Sequence, residues 1–282
     1  LIDLEGIRSR QDVVEFFLRP YMETPVGILL NLLPKVGPID KILLRFQKCA
    51  VKPQDFLVLI TSLSAAITVA NVLRNDILSL MQARPDLSTN LALKFFSDLH
   101  LQFNMDALIN LRERITTIID SELMVENKGS FVAIRYGVDK QLDFWKDQYD
   151  GLEGILAEVA ERLYHKHTQL NELSVVFLPQ IGYLVKLDNL ISYSQVVLPS
   201  DFEHIFTQEN DIYFKCDETR NLDEKVGDLD GLIKDAEQLI VNELEETILE
   251  SDIELRESFN ALSTLDCILS FANCAADLNF TR

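Results

Sequence analysis

The feature that most constrains this chain of 282 residues is a pair of helix-patterned stretches that bracket a short β-patterned insert. The helical stretches cover residues 139–168 and 219–255, and the strand-like segment between them covers 174–187. Roughly 30 residues of helix reach about 45 Å. The order predicts two long antiparallel helices that leave a domain and return to it, with a small sheet at the tip of this arm. Such an arm suits contact with something large.

Both helical stretches carry local signals of how they fold. In the first, Trp145, Tyr149, Leu152 and Leu156 follow one another in steps of three and four, as on one face of a helix. Glycines at 151 and 154 should weaken that helix locally. Between residues 217 and 257 we count 15 acidic and 4 basic side chains, a net charge of −11. That charge, beside a narrow apolar stripe, is typical of solvated helices.

The insert alternates between apolar and other residues with the period of a strand. One face is predicted to carry Val175, Phe177, Ile181, Tyr183, Val185 and Leu187. Pro179 favours a bend or an edge position. Residues 212–216 predict a returning strand, and residues 199–210 are polar and predict a loop.

The rest of the sequence predicts helices, so the expected fold class is mainly α: a helical core domain whose long helices carry a small β-rich insert. Helical spacing recurs over residues 3–18, 26–33, 39–46, 56–73, 88–103, 105–119 and 258–276. Asp3 is a candidate N-cap for the first of these helices. The predicted division is 1–138 for the helical core, 139–232 for the outgoing helix and insert, and 233–282 for the return to the core.

The composition argues against several classes of protein. With a net charge of −19, the chain as a whole does not indicate a basic nucleic-acid-binding face. The four cysteines lack C-x-x-C spacing, so we expect reduced thiols and neither zinc nor a redox pair. Without 18 consecutive apolar residues, we expect no membrane span. The chain opens without methionine, as an excised fragment would.

No motif for catalysis, a cofactor or a metal stands out. His165 and His167 are two residues apart, so on a helix they point to different sides. Asp228 and Asp230 precede Gly231 as in part of a calcium loop, but the glutamate at the twelfth position is missing. The sequence contains neither G-x-x-x-x-G-K-[ST] nor G-x-S-x-G. We therefore expect no catalytic, cofactor-binding or metal-binding residue among these 282.

Nucleic-acid contact requires cations near phosphates. The polar side chains near the insert that could supply it are Lys186, Lys215, Thr219, Arg220, Asn221 and Lys225. The alternative interpretation is that these are ordinary surface residues of an acidic helical scaffold that binds protein partners.

Five stretches, in this order and spacing, resemble the MutS homologue family, with flanking residues similar to its meiotic branch. They are DLEGIRSRQDVVEFF at 3–17, VDKQLD at 138–143, VFLPQIGYLV at 176–185, RNLDEKVGDL at 220–229 and LSTLDCILSFA at 262–272. The resemblance spans nearly the whole chain. It identifies residues 1–138 with the core and upper lever, 139–232 with the descending lever and clamp, and 233–282 with the ascending lever.

The resemblance implies a function. In the family, levers end in a clamp that touches the DNA backbone, and two subunits close a ring around double-stranded or branched DNA. The meiotic branch works as a heterodimer of paralogues that holds Holliday junctions and promotes crossovers, on chromosomes in the nucleus. The alternative within the family is a mismatch-repair subunit.

The resemblance also implies ATP and Mg²⁺, bound by a separate ATPase domain that would follow residue 282. The full-length protein would then be a DNA-dependent ATPase, whereas this fragment would not be an enzyme.

Overall fold

The computed structural model describes residues 4–87, 89–128, 130–167, 170, 173–188 and 199–280. The chain divides into two compact units. The helical unit comprises residues Leu1–Arg135 and Val241–Arg282, and the sheet unit comprises Tyr136–Ile240. The predicted three-part division at residues 138 and 232 stays a prediction. The candidate cap at Asp3 and the predicted helix end at Thr168 lie outside the described residues.

The helical unit confirms most of the helices that the spacing predicts. The α-helices of its first segment are α1 (Leu4–Phe17), α2 (Glu23–Leu32), α3 (Ile39–Gln47), α4 (Pro53–Val72), α5 (Ser79–Ala83), α6 (Asn90–Leu101), α7 (Met105–Ile118) and α8 (Ser121–Glu126). A π-helical segment, Leu73–Leu78, joins α4 to α5. The residues that mark the starts of these helices lie beside them in the sequence. Pro53 begins α4, and the Asn104 side chain accepts a hydrogen bond from Ala107 N–H at the start of α7.

Helix α4 supplies the centre of the core of this unit. Phe56, Leu59, Leu63 and Ala66 are fully buried along it. The helical run Pro53–Ala83 is also long and apolar enough to cross a membrane by length and composition, and 61% of its most apolar window is buried in the structure. Its apolar character is therefore that of a core helix.

The sheet unit begins with helices α9 (Lys140–Asp150) and α10 (Leu152–Lys166). The predicted helix over 139–168 is interrupted at one residue, Gly151, where the sequence predicts local weakening, and helical hydrogen bonds flank this residue on both sides. Gly154 lies inside α10 and does not interrupt it. The Asp139 carboxylate accepts hydrogen bonds from the N–H groups of Gln141 and Leu142 (2.8 and 2.7 Å), which caps α9.

The insert forms an antiparallel sheet of four strands in the order β1-β2-β4-β3. The strands are β1 (Leu173–Leu178), β2 (Gly182–Leu187), β3 (Glu203–Gln208) and β4 (Asp211–Lys215). The predicted bend after Pro179 is the turn between β1 and β2. Two predictions were wrong: residues 199–210 contain β3, and Ile181 lies exposed in the turn.

The second helical stretch is also divided. It forms α11 (Asp217–Lys225), α12 (Leu229–Glu250) and α13 (Asp252–Asp277), in place of one helix over 219–255. Gly227, with φ +66°, lies between α11 and α12. The buried positions of α13 include Leu262, Leu265, Leu269 and Ala272, as the pattern predicted.

Candidate nucleic-acid interface

Helix α11 carries four of the predicted DNA-binding residues, Thr219, Arg220, Asn221 and Lys225, and a hydrophobic core holds it on one face of the sheet. That core includes Val159, Leu163, Leu170, Val175, Tyr183, Val185, Leu187, Phe214, Cys216 and Leu222. Leu222 is the contribution of α11, and Val159 and Leu163 belong to α10. Alternate residues of β2 point into this core because successive strand side chains face opposite sides. The opposite side of α11 is left to polar residues.

Thr219 fixes the start of α11. Its hydroxyl donates to the carbonyl of Cys216 and accepts from the N–H of Cys216, both at 3.0 Å. The side chain is fully buried. Burial also raises the pKa of the Cys216 thiol. Since the hydroxyl is enclosed and already paired, the structure gives Thr219 the role of a helix cap.

Lys215 is held inside a network at the turn between β1 and β2. Its Nζ donates to the carbonyls of Ile181 and Tyr183 (3.1 and 2.8 Å) and pairs with Asp223 at 2.5 Å. Only 12% of its side chain is exposed. Moving this ammonium to a phosphate would leave Asp223 and two carbonyl groups without their donor.

Lys186 lies on β2 between the core residues Val185 and Leu187, so its side chain faces away from the core. It pairs with Asp188 at 2.8 Å and with Asp211 at 2.9 Å, and 27% of its side chain is exposed. The hydrogen bonds to Asp188 and then Asp211 raise the pKa of Lys186 well above its ordinary value. Two carboxylates balance this cation locally.

Arg220, Asn221 and Lys225 are exposed on α11, together with the acidic Asp217 and Glu224, and we call the first three the α11 face. Arg220 pairs with Glu203 at 2.6 Å and Asp217 at 3.2 Å, but all three side chains are at least 47% exposed. Exposed pairs contribute little, so a phosphate can compete for this guanidinium. Lys225 has no carboxylate within salt-bridge distance in the described part of the chain, and Asn221 is exposed beside it. These three therefore lie exposed on one helix, whereas Lys186 and Lys215 are held by neighbouring carboxylates.

Two residues of this region were missed by the sequence reasoning. Asp223 accepts a hydrogen bond from Tyr183 N–H (2.8 Å), a contact between residues 40 positions apart that no local pattern reveals. Arg162, on α10, is exposed and has no carboxylate partner among the described residues. Its position on the polar side of α10 was the available signal.

The residues considered for metal binding have other partners. His165 lies 3.7 Å from Glu161, and the ring of His167 packs edge-on to Phe202. Asp228 accepts a hydrogen bond from Gly231 N–H at 2.9 Å in the first turn of α12. Within the described ranges, no cluster of three or more histidine, cysteine or carboxylate side chains could hold a metal ion.

Fold and site together define a mainly helical protein in which a four-stranded antiparallel sheet with a polar helix face interrupts the helical order. Residues 1–272 match the protein-family model MutS domain III. The chain therefore belongs to the MutS family.

Individual relatives agree with this assignment. The chain is 32% identical over 199 residues to MutS protein homolog 5 of Saccharomyces cerevisiae, covering 66% of this chain and 22% of that protein. It is 18% identical to MutS protein homolog 5 of Caenorhabditis elegans (97% of this chain, 19% of that protein). It is 26% identical to the DNA mismatch repair protein MutS of Dinoroseobacter shibae (98% and 29%). The chain thus spans less than a third of the length of these relatives.

Proposed function

We propose that this chain is the core, lever and clamp part of a meiotic MutS homologue. As a heterodimer with its paralogue, meiotic MutS homolog 4, it encircles duplex or branched DNA, stabilises Holliday junctions and thereby promotes crossovers. The proposal is carried by the match to MutS domain III over residues 1–272, together with the similarity to two proteins named MutS protein homolog 5. Its place of action is the chromosome, in the nucleus.

The α11 face is the part of the sheet unit best suited to hold the DNA backbone. Arg220 and Lys225 supply cations, and Asn221 supplies a neutral donor. Phosphate contacts of this kind position a protein on DNA without reading its sequence. With two cations, binding should be modest and should weaken as salt rises.

In this proposal, ATP and Mg²⁺ bound by an ATPase domain of the full-length protein open and close the ring that the two subunits form around DNA. The sequence of these 282 residues has no phosphate-binding G-x-x-x-x-G-K-[ST] pattern. The contribution of this chain is accordingly to hold DNA, and ATP turnover belongs to the rest of the proposed DNA-dependent ATPase.

A binding titration tests the proposal. The chain, co-expressed with its paralogue, is titrated with a Holliday junction, a matched duplex and a mismatched duplex over a series of salt concentrations. We expect the tightest binding to the junction and a linear fall of log affinity with log salt. Lys225→Glu should weaken binding several-fold, whereas Lys234→Glu, the same charge change on α12, should have a smaller effect. Equal effects of the two variants would remove the α11 face from the interface.

The same titration separates two other functions. The D. shibae relative, named a DNA mismatch repair protein, favours a mismatch-repair subunit as the second candidate. A preference for the mismatched duplex over the junction would support that candidate. The acidic helices α11 and α12 favour a scaffold for protein partners. Absence of salt-dependent binding to any of the DNA ligands would support the scaffold and contradict the proposal.

A further inference from the structure

Asp223 joins α11 to the turn between β1 and β2. One carboxylate oxygen accepts the hydrogen bond from Tyr183 N–H, and the other pairs with Lys215. The preceding Gly182 has φ +91°, and a Cβ built on it would lie 2.2 Å from Asp223 Oδ1. Only glycine allows the carboxylate to approach the backbone this closely. The contact thus depends on a specific backbone shape.

A second contact ties the far end of α11 to the same strand. The Tyr183 hydroxyl donates to the carbonyl of Gly227 at 3.1 Å, just beyond the last turn of α11. Tyr183 is 1% exposed. Buried hydrogen bonds of this kind are costly to leave unmade. Through its N–H and its hydroxyl, one residue of β2 therefore holds α11 at two points.

The α11 face lies on the same helix as Asp223. Arg220 is one turn before Asp223 and Lys225 is two residues after it, so all three share one rigid backbone. If the helix rotates or frays, the two cations lose their common orientation. A binding face with so few cations depends strongly on each being correctly placed.

We propose that Asp223 is a positioning residue for DNA binding, whose carboxylate fixes α11 to the β1–β2 turn so that Arg220, Asn221 and Lys225 meet the phosphate backbone as one rigid face. This inference rests on the proposed function, since it concerns how the same site is held.

Whether the loss of a negative charge weakens or strengthens DNA binding gives a direct test. Asp223→Asn and Glu224→Gln each remove one negative charge from adjacent positions of α11, and Glu224 is exposed. By Coulomb attraction alone, both variants should bind DNA as well as the parent or more tightly. The inference expects the opposite for Asp223→Asn: about threefold weaker binding or more, with a salt slope reduced by about one phosphate contact. Glu224→Gln should bind at least as tightly as the parent.

Hydrogen exchange separates positioning from general loss of structure. In the full chain carrying Asp223→Asn, amides of residues 217–225 should exchange faster, while those of β1, β2 and α10 keep their protection. Equal loss of protection throughout the sheet unit would overturn the positioning role. If Asp223→Asn does not fold, Gly182→Ala provides the second variant, because an added Cβ would lie 2.2 Å from Asp223 Oδ1 and would displace the carboxylate without changing any charge. It should also weaken DNA binding and speed exchange in residues 217–225, and unchanged affinity with unchanged exchange would overturn the inference.

The two proposals fail in different ways. If the parent chain shows no salt-dependent binding to DNA, the proposed function fails, and hydrogen exchange still reports whether Asp223 fixes α11. If the parent binds DNA and Asp223→Asn behaves like Glu224→Gln, the inference about Asp223 alone is overturned.

Discussion

Lys146 and Glu237 form an ion pair at 2.7 Å that joins α9 to α12 within the sheet unit. The pair therefore joins the first helical stretch of the sequence to the second, which the sequence analysis predicts to run antiparallel to it.

Charge exchange at this pair tests the contact between α9 and α12. Lys146→Glu and Glu237→Lys should each lower the free energy of unfolding by about 1 kcal/mol, since both side chains are roughly one-quarter exposed. The double variant should recover at least half of the summed loss, because the pair is restored with opposite polarity. Urea unfolding measures all four proteins. Additive losses in the double variant would show that the two residues do not interact.

A buried carboxylate in the helical unit should make stability depend on pH. Asp55 accepts hydrogen bonds from Arg45 Nε (2.7 Å) and Lys52 N–H (2.9 Å), and the residue is 4% exposed. Burial would raise the pKa of Asp55, but the hydrogen bonds from Arg45 and Lys52 outweigh it, so the pKa lies below its ordinary value of 3.8. Because the folded-state pKa is depressed, the stabilisation is present above pH 3.8 and is lost as pH falls through the folded value.

Asp55→Asn should accordingly cost about 2 kcal/mol at pH 7, and the difference from the parent should shrink at pH values below 3.8. Asp86→Asn is the control, since Asp86 meets Arg84 at 3.5 Å with both side chains more than 60% exposed. It should change stability by a few tenths of a kcal/mol at any pH. A cost for Asp55→Asn that is independent of pH would contradict the charge-based explanation.

Replacing either of two glycines by alanine should change the free energy of unfolding, but in opposite directions. Gly182→Ala places a side chain on a residue with φ +91° and directly against Asp223, so we expect a loss of about 2 to 3 kcal/mol. Gly154 lies inside α10 with nothing within 4 Å of an added Cβ. Gly154→Ala should stabilise by about 0.5 to 1 kcal/mol. Thermal unfolding of the two variants checks the pair, and a loss at both positions would be inconsistent with the open space at Gly154.

The four thiols should fall into two kinetic classes. Cys49, Cys267 and Cys274 are exposed and Cys216 is buried, and burial raises the pKa of the Cys216 thiol. A thiol reagent should therefore modify three cysteines quickly and the fourth only as the protein opens, because the thiolate is the reactive form. Cys216→Ala should keep three fast thiols and abolish the slow phase. Four fast thiols in the folded parent would contradict the burial of Cys216.

The antiparallel hairpin was predictable from residues close to one another in sequence. Val175, Tyr183, Val185 and Leu187 alternate, and they are buried. Strand β3 was not predicted from the sequence because its pairing with β4 shifts register between His204 and Phe206. A bulge breaks the period of two on which strand prediction depends.

Two of the breaks in the long helices were predictable from the sequence, and one was not. Gly151 and Gly227 stand at two of the turns, where glycine weakens a helix. The turn at Ser251, between α12 and α13, has neither glycine nor proline beside it. The periodic apolar stripe runs through that position, so the sequence predicts continuation where the packed structure has a turn.

By itself the sequence determined that this protein is mainly helical, that a strand-forming insert lies between two helical stretches, and that it belongs with the MutS homologues. These properties depend on periodicity, caps and motif order, which are local. Only the tertiary structure decided which cations are available. Lys186 meets Asp211 across the sheet, Asp223 binds the backbone of Tyr183 from 40 residues away, and Lys225 is left to solvent. Side-chain pairing across strands and helices depends on register and packing, and no one-dimensional pattern records it.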